Sequence, residues 1–230
     1  MPKRLSAPLP ALRRLRAIGA LAAVLAFPAS QFAVPPANLD LSKQAVAQYV
    51  NSGAYGREVA EVALKANKYL ARQLAKPAKP GEKRAIVFDI DETTLSNLSH
   101  VTAQDYGYVP AVWRRWVADG QARAIVPVQL VYDLAVKNGV AVFFITARHQ
   151  SEAAATERNL RDVGYETWTK IYYKPDTEDL PVRLFKTGVR RQLYTEGYTI
   201  LANIGDQDSD LAGGFARRTF KLPNPFYIVR

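Results

Sequence analysis

Four short apolar runs, interleaved with helical patterns, constrain this chain more than any other feature. The runs are Ala85-Ile86-Val87-Phe88, Val140 to Ile145, Ile171 to Tyr173 and Thr199 to Ile204. Each is continuous rather than alternating, so the strand it predicts must be covered on both faces. Between them, Val126 to Val136, Ser151 to Val163 and Leu184 to Tyr194 carry helical spacing. Strands alternating with helices predict an α/β fold with a parallel sheet flanked by helices. Upstream, Val59, Val62, Ala63, Ala66, Tyr69, Leu70 and Leu74 recur at three- and four-residue steps, the mark of a helix with one apolar face. Pro77, Pro80 and Gly81 stop it. The length of 230 residues and the 48% hydrophobic share suit one such domain, 34–230, with a helical extension at 34–80.

In a parallel α/β sheet, ligands bind beyond the carboxyl ends of the strands. The chemistry of this chain collects there. The first run leads into Asp89-Ile90-Asp91-Glu92-Thr93-Thr94, and the second into Thr146-Ala147-Arg148. The helix before the fourth run carries Lys186 and, one turn on, Arg190; the fourth run leads into Gly205-Asp206-Gln207-Asp208-Ser209-Asp210. Carboxylates from two strand ends form an oxygen-rich pocket that suits Mg²⁺. A lysine and a hydroxyl beside that metal suit a phosphoryl group. A single strand-end aspartate is more commonly a helix cap, and a lone lysine a solvated one. The ordered set outweighs both of these readings.

The residue inventory removes competing chemistries. There is no cysteine, which excludes disulfide frameworks, zinc–thiolate sites and thiol nucleophiles. Two histidines, His100 and His149, are too few for a histidine-rich binuclear metal centre. The 31 basic and 21 acidic residues, a formal +10, raise the question of a polyanionic partner. No zinc-finger or aromatic RNA-binding motif supports a nucleic-acid polymer as that partner.

The string Val87-Phe88-Asp89-Ile90-Asp91-Glu92-Thr93 resembles the first motif of the haloacid dehalogenase (HAD) superfamily. The longer DIDETTLSN, Asp89 to Asn97, is similar to the acid phosphatases of the bacterial class B and C type and the plant vegetative storage proteins. FFITAR (Phe143 to Arg148), FKTGVRRQL (Phe185 to Leu193), IGDQDSDLAGG (Ile204 to Gly214) and the upstream SGAYGREVAEVALKA (Ser52 to Ala66) agree with that branch. The resemblance implies an HAD-like Rossmannoid sheet and hydrolysis of small-molecule phosphate monoesters. By the same resemblance Asp89 is the nucleophile and Asp91 the general acid/base, the latter favouring an acidic optimum. Mg²⁺ would be held by Asp89, Asp206 and the backbone carbonyl of Asp91, with Asp210 on metal-bound water or against Lys186. Thr146 and Lys186 would bind phosphoryl oxygens. Arg148 is expected to contact phosphate or the cap. Arg190 is expected either to orient carboxylates or to lie on a helix surface, and Asp208 is given no role. A phosphotransferase on the same site, or a non-catalytic storage or binding protein of the same fold, are the alternative readings. Oligomeric state is left open, a homo-oligomer included.

Specificity in this superfamily comes from insertions after the first motif, so 98–124 is the candidate cap. Its Tyr106, Tyr108, Trp113 and Trp116, interspersed with Arg114, Arg115 and Arg123, could stack a nucleobase and bind phosphate. The preferred expectation is that Trp113 and Trp116, three apart, face the core from one side of a helix. At the other end, Lys3, Arg4, Arg13, Arg14 and Arg16 precede the apolar run Ala17 to Phe27, which Pro28 ends. That pattern is expected to be a secretory signal peptide over 1–33, cleaved between Ala29 and Val34, with an amphipathic helix as the other reading. Its loss would leave 26 basic against 21 acidic residues, so much of the excess charge would record export to the periplasm or medium. With no lipobox cysteine, no stable membrane anchor is expected.

Overall fold

The computed structural model describes residues 37–177 and 180–229; the predicted signal peptide lies outside them. In chain order the elements are α1 (Leu39–Asn51), α2 (Ala54–Leu74), β1 (Lys83–Phe88), β2 (Leu95–Ser96), α3 (Leu98–Ala103), α4 (Pro110–Asp119), β3 (Arg123–Ala124), α5 (Val126–Lys137), β4 (Ala141–His149), α6 (Ala153–Asp162), β5 (Lys170–Lys174), α7 (Val182–Thr195), β6 (Tyr198–Gly205), α8 (Asp208–Leu211) and β7 (Thr219–Lys221). The fold is α/β, as the alternation predicts. Five parallel strands lie in the order β5-β4-β1-β6-β7. The chain winds outward from β1 through β4 and β5, then returns to place β6 on the other side. The gap between β1 and β6 is therefore the switch point of the sheet, where a crevice opens beyond the strand ends.

The continuous apolar runs have the expected cause. Along β1, Ile86 and Phe88 join a large cluster with Phe144 and Leu201, packed beneath α2 and α5. Ala85 and Val87 point to the opposite face, where Val189 and Leu193 of α7 cover them together with Phe143 and Ile145. Neither face meets water, so neither tolerates polar alternation. Helix α2 starts at Gly53, whose φ of 74° is a left-handed value that a β-carbon would strain. It buries Tyr55, Val59, Ala63, Ala66 and Leu70 against the sheet and α5. No described helix is long and apolar enough to cross a membrane.

Three features depart from the sequence reading. The second strand runs on to His149, because its pairing with β5 resumes at His149↔Lys174 after an irregularity. Thr146 and Arg148 thus lie within the strand, not after it. The fourth apolar run has a neighbour in β7, three residues long and too short to show a period. The segment 98–124 forms α3 and α4 between the two strands of a small antiparallel ribbon, with Leu95 opposite Ala124 and Ser96 opposite Arg123. That ribbon clamps the base of the insertion. Pro110 fixes the first turn of α4, and left-handed Gly120 (φ 65°) ends it.

Leu70 tests whether α2 belongs to the core. It is fully buried, so Leu70→Ala is expected to cost about 3 kcal/mol, read as a lowered urea midpoint with an unchanged slope.

Candidate active site

The loop after β1 is wound tightly enough to turn its side chains in several directions at once. The Asp89 N–H donates to the Ile204 carbonyl (2.9 Å), which continues the β1–β6 ladder by one residue. The N–H groups of Thr93, Thr94 and Leu95 then converge on the Ile90 carbonyl, and the Thr94 hydroxyl closes on the Asp89 carbonyl at 2.5 Å. Glu92 takes the left-handed conformation (φ 54°) that this winding requires. Asp89 and Asp91, though two apart, therefore meet different surroundings.

Asp89 faces the end of β6. Its carboxylate lies with those of Asp206 and Asp210, all three buried and each offering an oxygen within 4.8 Å of the others. Lys186, from α7, donates to Asp89 Oδ1 and, at 2.7 Å, to Asp210 Oδ1. Burial alone would depress the Lys186 ammonium, but Asp210 and Asp89 override it and hold its pKa above the ordinary value. Burial raises the Asp89 carboxyl well above the usual range; Lys186 opposes this, and Asp210, Asp206 and Asp91 reinforce it. Asp206 is pushed up to about 6, by burial and then by Asp210. Three carboxylates against one ammonium leave two negative charges unbalanced in a space poor in water. Crowded hard oxygens with that deficit fit a divalent cation, and these are the residues that could hold one.

Asp91 has a different setting. Its side chain is 18% exposed against 7% for Asp89, so the more desolvated carboxylate is Asp89, the reverse of the order that a neutral acid at Asp91 would call for. Its carboxylate is not among the three clustered oxygens but turns to Arg148, whose Nη2 donates to Oδ1 at 2.7 Å and Nε at 3.1 Å. Arg148 Nη1 goes to the Thr156 hydroxyl (3.0 Å), and its guanidinium lies 5.6 Å from the Trp113 ring. Asp91 and Thr156 thus engage part of the Arg148 fork and its ring contact reaches the insertion, while Arg148 also lines the cavity that opens above these groups. Asp91, with its charge offset, holds it above the ordinary arginine value against the effect of burial. Thr146 is fully buried, and its hydroxyl accepts the Arg148 N–H at 3.1 Å. Arg190 is no surface residue, and among the described residues none of its hydrogen bonds goes to a carboxylate. It is buried, lowered to about 10 by desolvation, and donates to the carbonyls of Asp210 (2.5 Å), Ala212 and Gly214 (3.1 Å). It shapes the last acidic loop through its backbone. Asp208 is exposed, as expected of a residue without a role.

Several functional neighbours escaped the sequence reading. Asp206 Oδ2 accepts from Asn224 at 2.8 Å and Gln207 at 2.5 Å, and its Oδ1 from the Thr93 hydroxyl at 3.1 Å. Tyr227 donates its hydroxyl to Glu92, which is fully buried and also accepts the Asn97 N–H at 2.6 Å. Burial lifts Glu92 to about 8, with Asp91 adding to the shift and the Tyr227 and Asn97 donors opposing it. Glu92 and Asn97 lay inside the quoted DIDETTLSN. Asn224 and Tyr227 belong to an irregular tail with no periodicity to mark it. Above these groups opens a cavity of about 730 Å³. Asp89, Asp91 and Lys186 line its floor, while Tyr108 and Trp113 of the insertion and Tyr227 of the tail line its walls.

The profile of the HAD superfamily, subfamily IIIB (acid phosphatase), matches residues 18–230. The chain belongs to this family. Among relatives of this acid phosphatase family, the chain is 38% identical over 155 residues to the stem 28 kDa glycoprotein of Glycine max, a match covering 64% of this chain and 61% of that protein. It is 32% identical over 191 residues to acid phosphatase 1 of Solanum lycopersicum, covering 80% and 73%. It is 33% identical over 147 residues to vegetative storage protein 1 of Arabidopsis thaliana, covering 62% and 54%. The class C acid phosphatase from Bacillus anthracis shares the fold, with a TM-score of 0.67, 24% identity and coverage of 83% and 86%. The resemblance read from DIDETTLSN and its companion motifs is borne out, as is the HAD-like sheet.

Two outcomes follow from this packing. A β-carbon on Gly205 would stand 2.5 Å from Cβ and Oδ2 of Asp210, so Gly205→Ala is expected to displace that carboxylate and cost about 2 kcal/mol of stability, with weaker cation binding by calorimetry. Glu92, raised from 4.5 to about 8, favours the folded state most below pH 4.5 and loses that contribution as pH rises through 8. In chelator-treated protein the urea midpoint should fall between pH 5 and 8.5, and Glu92→Gln should flatten the decline.

Proposed function

We propose that the protein is a Mg²⁺-dependent phosphomonoesterase that works through an aspartyl-phosphate on Asp89. The observation that carries this reading is the position of Asp89. It stands at the sheet's switch point on the floor of the cavity, with Lys186 bonded to Oδ1 and no donor on Oδ2 among the described residues. A carboxylate tethered by one oxygen and free at the other is oriented to attack. Asp89 Oδ2 would form the bond to phosphorus as the ester P–O bond breaks. Asp91, also on the cavity floor, would give its proton to the departing alkoxide and then take one from the water that attacks the aspartyl-phosphate. Phosphate leaves, and both aspartates return to their starting states. Lys186 would stabilise the charge on the transferring group while keeping Asp89 in place.

Asp89, Asp206 and Asp210 would hold Mg²⁺, with the Asp91 carbonyl as the fourth protein contact that the family resemblance adds. Bound there, it would neutralise charge on the phosphoryl oxygens and offset the two unbalanced negative charges. Arg148, which lines the cavity, would steady Asp91 and keep N–H groups to offer a phosphoryl oxygen. Thr146, whose hydroxyl accepts from the Arg148 backbone, keeps its own proton to donate to a phosphoryl oxygen.

The cavity volume suits small phosphate monoesters, and the aromatic wall supports leaving groups with a planar portion, nucleoside monophosphates included. Export to the periplasm or medium rests on residues 1–33 alone. Relatives named as storage proteins keep a non-catalytic reading in view, and turnover separates the two.

The test is phosphate release from p-nitrophenyl phosphate and from a panel of nucleoside monophosphates. Release is expected to fall to the no-enzyme level in Asp89→Asn, to stop with EDTA and to return with Mg²⁺. Full activity in Asp89→Asn, or none in wild type with Mg²⁺, overturns the reading, and equal turnover of every ester removes the nucleotide preference. Independently of activity, Mg²⁺ should raise the Tm of wild type and much less that of Asp206→Asn.

A further inference from the structure

The two oxygens of Asp91 are unequal. Three contacts converge on Oδ1, from Arg148 Nη2 (2.7 Å), Arg148 Nε (3.1 Å) and Asn97 Nδ2 (2.8 Å). Oδ2 receives only the shared Arg148 Nε, at 3.2 Å. An oxygen surrounded by N–H donors has no room for a proton of its own, so Oδ2 is the oxygen that can carry one. Asp91 lines the cavity, and this inequality fixes which side of the carboxyl serves it.

Arg148 alone would not fix that orientation, because a guanidinium fork accepts a carboxylate in several registers. The Asn97 amide selects one. It reaches Asp91 through its nitrogen because its oxygen is taken: Trp116 Nε1 donates to Asn97 Oδ1 at 2.7 Å. An indole N–H can only donate and a carboxylate can only accept, so the amide between them has a single satisfactory orientation. Asn97 is fully buried, and its N–H and Nδ2 also meet Glu92. Trp116 belongs to α4 of the insertion, stacks on His100 with ring centroids 5.3 Å apart, and is not among the residues lining the cavity.

We propose that Asn97 and Trp116 are positioning residues for the acid step: the indole N–H of the insertion orients the Asn97 amide, and the amide loads Oδ1 of Asp91 so that Oδ2 faces the leaving group. The insertion then acts on the chemistry as well as on substrate shape. This rests on the reading of Asp91 as the general acid given above.

The role predicts a dependence on the leaving group. p-Nitrophenolate departs without a proton, whereas an alkoxide needs one. The experiment compares kcat/KM, which reports steps up to the first departure, for p-nitrophenyl phosphate and for 2-glycerophosphate in wild type, Trp116→Phe and Asn97→Leu. Trp116→Phe keeps an aromatic ring against His100 while removing the N–H donor together with part of the indole. It is expected to lower kcat/KM for 2-glycerophosphate by about tenfold and to leave that for p-nitrophenyl phosphate within about twofold, with a larger selective loss in Asn97→Leu. Equal falls on both esters in Trp116→Phe, or no fall on either, overturn the proposal. If Asn97→Leu does not fold, Trp116→Phe decides alone, its folding checked by circular dichroism and an unchanged thermal midpoint. Asp91→Asn serves as the reference. Should it show no selective loss, or should wild type release no phosphate, the underlying function has failed, not the positioning role.

Discussion

Like charges forced together away from water govern the design of this protein. Asp89, Asp206 and Asp210 bring their carboxylates within 4.8 Å of one another, with Lys186 as the ammonium among them. Nothing in the apolar sheet favours this; each buried carboxylate costs free energy until it is paired or hydrogen-bonded. Much of the irregular structure serves to make the crowding tolerable. Thr93, Gln207 and Asn224 supply donors to Asp206, and Gln207 supplies its N–H to Asp210. Arg190 ties down the loop that carries Asp210. The sheet provides the rigidity against which this works, since β1 and β6 are buried on both faces and cannot relax apart.

The scaffold was legible because its cause is repetitive. Strands covered on both faces must be apolar throughout, as Ile86, Val87 and Phe88 show, and α2 must repeat every three or four residues to bury Val59, Ala63, Ala66 and Leu70. The acidic residues were legible because position after a strand is itself a signal. What sequence could not convey was which carboxylate would be the more buried. That depends on the winding of the loop at Glu92, which turns Asp91 toward Arg148. A periodic pattern reports burial of a stretch, not the direction of one side chain in a turn. Arg148 and Arg190 illustrate the same limit: both are arginines near acidic motifs, yet one grips a carboxylate and the other three carbonyls.

The insertion shows how one residue type can do two jobs. Trp113 and Trp116 share a helix and a spacing that suggests a common face, yet Trp113 lines the cavity beside Arg148, whereas Trp116 points its N–H at Asn97. Burial of a large ring for its area and use of its polar edge are compatible, and Trp116 does both.

The segment that carries Asn224 and Tyr227 follows every strand of the sheet, yet it supplies donors to the acidic loops. The sheet already rests on the long-range pairing of β1 with β6, and Tyr227 reaches farther still, to Glu92 across 135 positions, while Asn224 reaches Asp206 from beyond β7. As the chain is synthesised, β1, β4, β5 and β6 are available to pair before either donor exists. The acidic loops are thus completed by donors from a segment that follows every strand of the sheet in the chain. The scaffold and the last donors of the site therefore come from separate stretches of sequence, joined by a few polar contacts.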